Sequence, residues 1–204
     1  MAVMNEVQKR SLLKAANAEQ KKAINFFCPK TGCLSFIGKV SAEDYQAIVD
    51  GIVKAANTYQ KAIDKIGMDE DDLKEIPPVT LVGWEYDGAY TREGKTSKYG
   101  VTHLFFSSTQ VYMYNVVFDI VTGSKKERTE EYFYKDITNF STSTDSDMID
   151  VLGGGCSPKW TKANVEIQRF SLIVPGDKFT CGTYGDIEDS VRAMKNKLRE
   201  KKSV

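Results

Sequence analysis

The side chains best suited to chemistry in this 204-residue sequence are one histidine, His103, and four cysteines, Cys28, Cys33, Cys156 and Cys181. A histidine acts as a general base when an acid or nucleophile stands beside it, and a thiol becomes a nucleophile once a base takes its proton. His103 lies in Val101-Thr-His-Leu-Phe105, which reads as a strand. Cys156 follows Gly153-Gly-Gly, which lacks the Gly-Lys-Ser/Thr ending of a phosphate loop and reads as a flexible loop. No flanking motif joins His103 to Cys156, and Cys181 falls inside another strand-like stretch. The sequence therefore assigns no catalytic residue. A small thiol-dependent enzyme is the third reading, after two that involve binding alone.

Metal chemistry fares no better. Cys28 and Cys33 have a spacing seen in zinc ligand pairs, but the second pair is missing and His103 is the only histidine. Two reduced, partly buried thiols, or a disulfide around Pro29-Lys-Thr-Gly32, are the other readings. Asp69-Glu-Asp-Asp72 lacks the alternating ligands, central Gly and terminal Glu of a calcium loop, and suits the start of a helical turn. No metal and no cofactor is expected.

Cations form two groups. Arg92, Lys95 and Lys98 stand in residues 87–98 beside Gly88 and Gly94, and are the candidate ligand-binding residues. They could hold a phosphoanion or an anionic lipid headgroup; Asp87 and Glu93 dilute their charge, which also suits a solvated hairpin turn. Residues 191–204 carry Arg192, Lys195, Lys197, Arg199, Lys201 and Lys202 against Glu200 alone. Cations there complement a helix C-terminus, and the absence of interleaved aromatics argues against single-stranded nucleic acid.

The elements that must position these groups change character near Pro77-Pro78. Residues 5–27 predict a helix, and a second runs from an N-cap at Ser41 through Tyr45, Ile48, Val49, Ile52, Val53, Ala56, Tyr59, Ala62, Ile63 and Ile66 to Gly67. This helical hairpin, residues 1–76, needs a surface to pack on: the next domain or a second copy. From Val79 the period becomes two. Strands are predicted at 79–86, 99–107, 109–121, 130–135, 137–142, 165–174 and 178–183, with Tyr112, Tyr114, Val116, Phe118 and Ile120 on one face. Residues 143–163 predict a long loop. A final helix carries the stripe Ile187, Val191, Met194 and Leu198.

Glu131-Tyr-Phe-Tyr-Lys-Asp-Ile-Thr-Asn-Phe140 resembles the paired strands of bacterial pleckstrin-homology-like domains. The strand ending in Pro175-Gly176, Phe179, and the helix with Ala193-Met194 and Leu198-Arg199 are similar too. The resemblance covers residues 79–202. It implies an α+β fold in which residues 77–204 form a seven-stranded antiparallel barrel closed by the C-terminal helix. It also implies a scaffold that binds lipid headgroups, peptides or proteins.

Twenty-eight Lys plus Arg balance 28 Asp plus Glu, so no global field draws the protein to nucleic acid or membrane. No apolar run approaches the roughly 20 residues of a membrane helix, and the first residues lack a secretory h-region. The expected place is a reducing cytoplasm. The leading expectation is a non-catalytic interaction module with a protein partner or a homo-oligomer; peripheral binding of anionic lipid or phosphoanion is the alternative.

Overall fold

A computed structural model describes residues 4–29, 39–68, 77–152 and 159–202. Cys33, Cys156, the glycine run at 153–155, the acidic run at 69–72 and most of the connector 28–40 lie outside them.

Among the described residues four helices precede the strands: α1 (Glu6–Ala15), α2 (Ala18–Phe27), α3 (Ala42–Ala56) and α4 (Thr58–Ile66). This corrects the expected two-helix hairpin. The first helix divides because Asn17 and Gln20 form a capping box that restarts it, as Asn5 and Gln8 do for α1. The second divides at Asn57, whose backbone is left-handed at φ 45° and ψ 53°. Asparagine tolerates that conformation better than most residues.

The strands are β1 (Val79–Glu85), β2 (Thr91–Arg92), β3 (Lys95–Thr96), β4 (Lys98–Phe106), β5 (Gln110–Asp119), β6 (Lys125–Phe133), β7 (Asn139–Leu152), β8 (Trp160–Val174) and β9 (Asp177–Thr183). They form three antiparallel sheets, ordered β1-β4-β5-β6, β2-β3 and β7-β8-β9. The expected closed barrel is not formed. No ladder joins β1 to β9 or β6 to β7. Instead β1 and β9 cross at glycines: a Cβ on Gly83 would stand 2.5 Å from the Gly182 carbonyl carbon, and one on Gly182 would stand 2.3 Å from the Trp84 oxygen. The Glu85 carboxylate, accepting from the Gly182 N–H at 2.9 Å, bridges the crossing in place of a ladder. Burial raises the pKa of Glu85, and that N–H partly offsets the rise.

The four-stranded sheet is covered on both faces, which is why eight of the nine residues of β4, Tyr99 through Phe106, are buried. One face meets the helices: Tyr99, Val101, Phe105, Tyr114, Val116 and Phe118 share a cluster with Phe26, Phe27, Tyr45 and Val49. The stripe of α3 and α4 is thus consumed within the chain. The other face meets the three-stranded sheet, where Leu81, Leu104, Val111 and Met113 pack with Phe140, Phe170 and Leu172. The last helix, α5 (Glu188–Lys202), buries Val191, Met194 and Leu198 in this second cluster.

Residues 143–152, expected as loop, belong to β7. Their backbone pairs continuously with β8, from Asn139↔Ile173 to Leu152↔Trp160. Pairing partners override the low strand propensity of a Ser/Thr/Asp-rich segment. Because β9 meets β8 only from Gln168 onward, β7 and β8 extend past it as a two-stranded ribbon.

Candidate binding site

The site begins with an aromatic ladder where α3 meets the sheet. Tyr45 is fully buried and donates to the Thr96 carbonyl at 2.7 Å. Its ring stacks on Phe26 at 4.7 Å and faces Trp84 at 6.0 Å; Trp84 in turn meets Tyr99 edge-on at 4.8 Å. These contacts fix α3 and β1 as two walls. The turn between β2 and β3 supplies the cation. Glu93 at φ 51° and Gly94 at φ 74° make the tight two-residue reversal in which Arg92 pairs with Lys95. Lys95 lies 5.1 Å from the centre of the Trp84 ring and donates to Gln46 Oε1 at 2.8 Å. Burial lowers its pKa, and the carboxylates of Glu43 and Asp50 oppose the shift.

Around this ladder lies a cavity of about 610 Å³, walled by α3 on one side and by Trp84, Lys95, Tyr99 and Tyr184 on the other. Trp84, Lys95 and Tyr184 also line a second cleft of about 220 Å³, whose far wall is residues 165–168 of β8. Gln168 and Thr183 line that cleft and a third, of about 270 Å³, at the start of α5. Shared lining residues set the three side by side, from α3 past Tyr184 to α5, and they are called the furrow below. Tyr184 is 73% exposed at its middle. The furrow is acidic: Glu43, Asp50, Glu93, Glu166, Asp186 and Glu188 face it against Lys95 and Arg169. Arg169 is already paired with Asp145. Burial, with Asp50 and Tyr184 nearby, raises the pKa of the Tyr99 phenol, so it stays a neutral donor. The Thr183 hydroxyl is buried without a partner, alone in this among the described residues.

The three candidate cations do not converge. Arg92, only 2% exposed, reaches away from solvent: its guanidinium donates to the Phe26 carbonyl at the end of α2, lies 4.8 Å from the Phe26 ring and pairs with Glu93 at 3.0 Å. Lys98 donates to the Asp87 carbonyl at 2.6 Å. Of the three, Lys95 alone lines the furrow. The helix packing is thus one place where Arg92 acts, and the loop 87–98 is folded by the hairpin it contains.

His103 is a structural pin. It is 3% exposed, with Nε2 2.9 Å from Thr58 Oγ1 and Nδ1 2.8 Å from Thr80 Oγ1. It joins the start of α4 to β1 through β4, and burial lowers its pKa to about 4. Cys181 lies in the core between the sheets, and burial pushes its thiol up to about 12. Burial also raises Cys28, whose Sγ lies 3.6 Å from Glu6 Oε1. Neither described thiol is activated, because a nucleophilic cysteine needs a lowered pKa. Among the described residues no group of His, Cys, Asp and Glu could hold a metal ion.

Sequence reasoning missed Trp84 and Tyr99 as site residues, since each reads as an ordinary strand aromatic, and it missed Tyr184. Tyr184 carried one usable signal: it stands after the last strand and before Gly185, where φ is 88° and the chain turns away from the sheet.

Compared with protein families, curated proteins and solved structures, the chain matches none.

Proposed function

We propose that this protein is a non-catalytic interaction module that holds a segment of a partner protein in the furrow centred on Tyr184. The observation that carries this reading is the exposed Tyr184 ring at the junction of adjoining clefts floored by Trp84 and Tyr99. Tyrosine and tryptophan combine large contact area with low conformational entropy, and they dominate binding energetics at interfaces. Self-association through the stripe of α3 and α4 has less motive, because all of that stripe but the exposed Tyr59 packs into the core shared with the sheet. An anionic headgroup finds Lys95, already bonded to Gln46, and Arg169, paired with Asp145, among six carboxylates of which only Glu93 is paired with a cation outside the furrow, Arg92. No helix among the described residues is long and apolar enough to cross a membrane.

A photo-crosslinking amino acid placed at position 184 tests the reading in cells. The expected result is a discrete adduct, absent when the same group replaces Phe133, an exposed aromatic of β6. The purified partner then binds the full chain at least about tenfold more weakly after Tyr184→Ala, the loss typical of an interface anchor. Phe133→Ala leaves affinity unchanged. Equal adducts at both positions, or affinity indifferent to Tyr184→Ala, overturn the reading.

A further inference from the structure

Taking the furrow as the protein-binding site, we propose that the partner enters it as an extended, cationic strand that pairs with the free edge of β8. The backbone carries the first part of this inference. Residues 168–173 of β8 pair with β7 on one side and β9 on the other, whereas residues 161–167, among the described residues, pair with β7 alone. The row that β9 occupies stops at Thr183 because Gly185, at φ 88°, turns the chain into α5. Past that point the β8 edge runs along the second cleft, which residues 165–168 line. Backbone N–H and C=O groups on a sheet edge are a template for another strand. A helix laid in the same furrow would leave them unpaired, because its own backbone groups are used internally.

The outer edge strand of the four-stranded sheet, β6, reads Lys-Lys-Glu-Arg-Thr-Glu-Glu-Tyr-Phe, with six charged residues of nine. Charges of that density discourage strand addition. Residues 161–167 of β8 read Thr-Lys-Ala-Asn-Val-Glu-Ile, with two charged residues of seven. The sign of the partner follows from the furrow itself. Six carboxylates face it against Lys95 and Arg169; Arg169 is held by Asp145 and Glu93 by Arg92, which leaves five carboxylates against Lys95. A strand bearing Lys or Arg complements that field and can lay a cation on the exposed Tyr184 ring.

The test uses the full chain and a library of random short peptides displayed for selection. Strand addition predicts enriched peptides rich in Lys and Arg whose binding weakens with Tyr184→Ala, with Asp50→Asn plus Glu166→Gln, and with added salt. An N-methyl scan of an enriched peptide then reads the mode. A strand paired on one edge uses the N–H of every second residue, so methylation should cost about tenfold or more at alternate positions and little between them. Hydrogen exchange should show new protection at alternate amides of residues 161–167. If peptides bind in a Tyr184-dependent way but the methyl scan is flat and those amides stay unprotected, strand addition is overturned while the furrow stands. Enriched peptides that are acidic or neutral overturn the cationic partner. If no enriched peptide depends on Tyr184, the furrow reading falls with it.

Discussion

Replacing His103 by Gln probes how the helical layer is fastened to the sheet. In the folded protein the imidazole is buried between Thr58 and Thr80, and its pKa falls from the ordinary 6.5 to about 4. The neutral ring is therefore the form that the fold stabilises. Above about pH 6.5 this contribution is fully present; between there and pH 4 the unfolded chain binds a proton that the folded chain refuses, so stability falls as pH falls. Each pH unit in that window is worth about 1.4 kcal/mol, which makes about 3 kcal/mol lost on reaching pH 4. That is a large part of the roughly 5–15 kcal/mol of a typical domain. Glu127, held down to about 2 by Lys125 and Lys65, loses its own contribution only as pH falls below the ordinary 4.5, so most of the histidine window is free of it. Glu85 has a raised pKa and acts with the opposite sign, but it acts equally in both proteins. His103→Gln should cost about 1–3 kcal/mol at neutral pH by leaving a threonine hydroxyl unpaired. Urea unfolding of both proteins across this range should show the gap between them closing, and then inverting, as pH falls. A gap that stays constant would show that the histidine titrates normally and is not the buried pin described here.

Other substitutions test the rest of the frame. Gly83→Ala should destabilise by about 1–3 kcal/mol, because its new methyl meets backbone of β9 that cannot yield cheaply; Gly51→Ala, with open space around it on α3, should stabilise by up to about 1 kcal/mol, and thermal melting separates the two. Arg92→Met should cost about 3 kcal/mol in chemical denaturation by stranding the Phe26 carbonyl and Glu93, whereas Lys98→Ala should change stability by no more than about 0.5 kcal/mol. Ending the chain at Tyr184 removes Val191, Met194 and Leu198 from the second core, each worth about 1.5–3 kcal/mol when fully buried, so cooperative melting should be lost; Lys201→Ala with Lys202→Ala should leave it intact.

Local pattern was legible where one face or one cap decided the outcome. The alternation of Tyr112, Tyr114, Val116 and Phe118 placed them on one face of a strand, the face that meets the helices, but it implied a half-buried strand, whereas the opposite face of β5 is covered too. Ser41 with Asp44 capped α3 as its spacing implied. Long-range geometry was not legible. Asn57 looked like one more helical residue, and only the docking of Thr58 on His103 gives its left-handed turn a purpose. Gly83 and Gly182 carry no sign in sequence that they cross, yet their contact stands where a ladder would have closed the barrel. Arg92 and Lys95 are near neighbours in a basic loop, but a two-residue turn sends one under α2 and the other over Trp84. The furrow draws its walls from α3, β1, β3, β8 and the start of α5, so no single segment could announce it.

The central claim is that a partner protein lies in the furrow beside Tyr184, and hydrogen exchange on the full chain with and without that partner tests it most directly. Protection should centre on residues 42–50, 84–86, 93–95, 165–168 and 184, the walls of the first two clefts. Protection confined to the charged strand β6 or to the basic face of α5, with residues 165–168 and 184 unchanged, would contradict it.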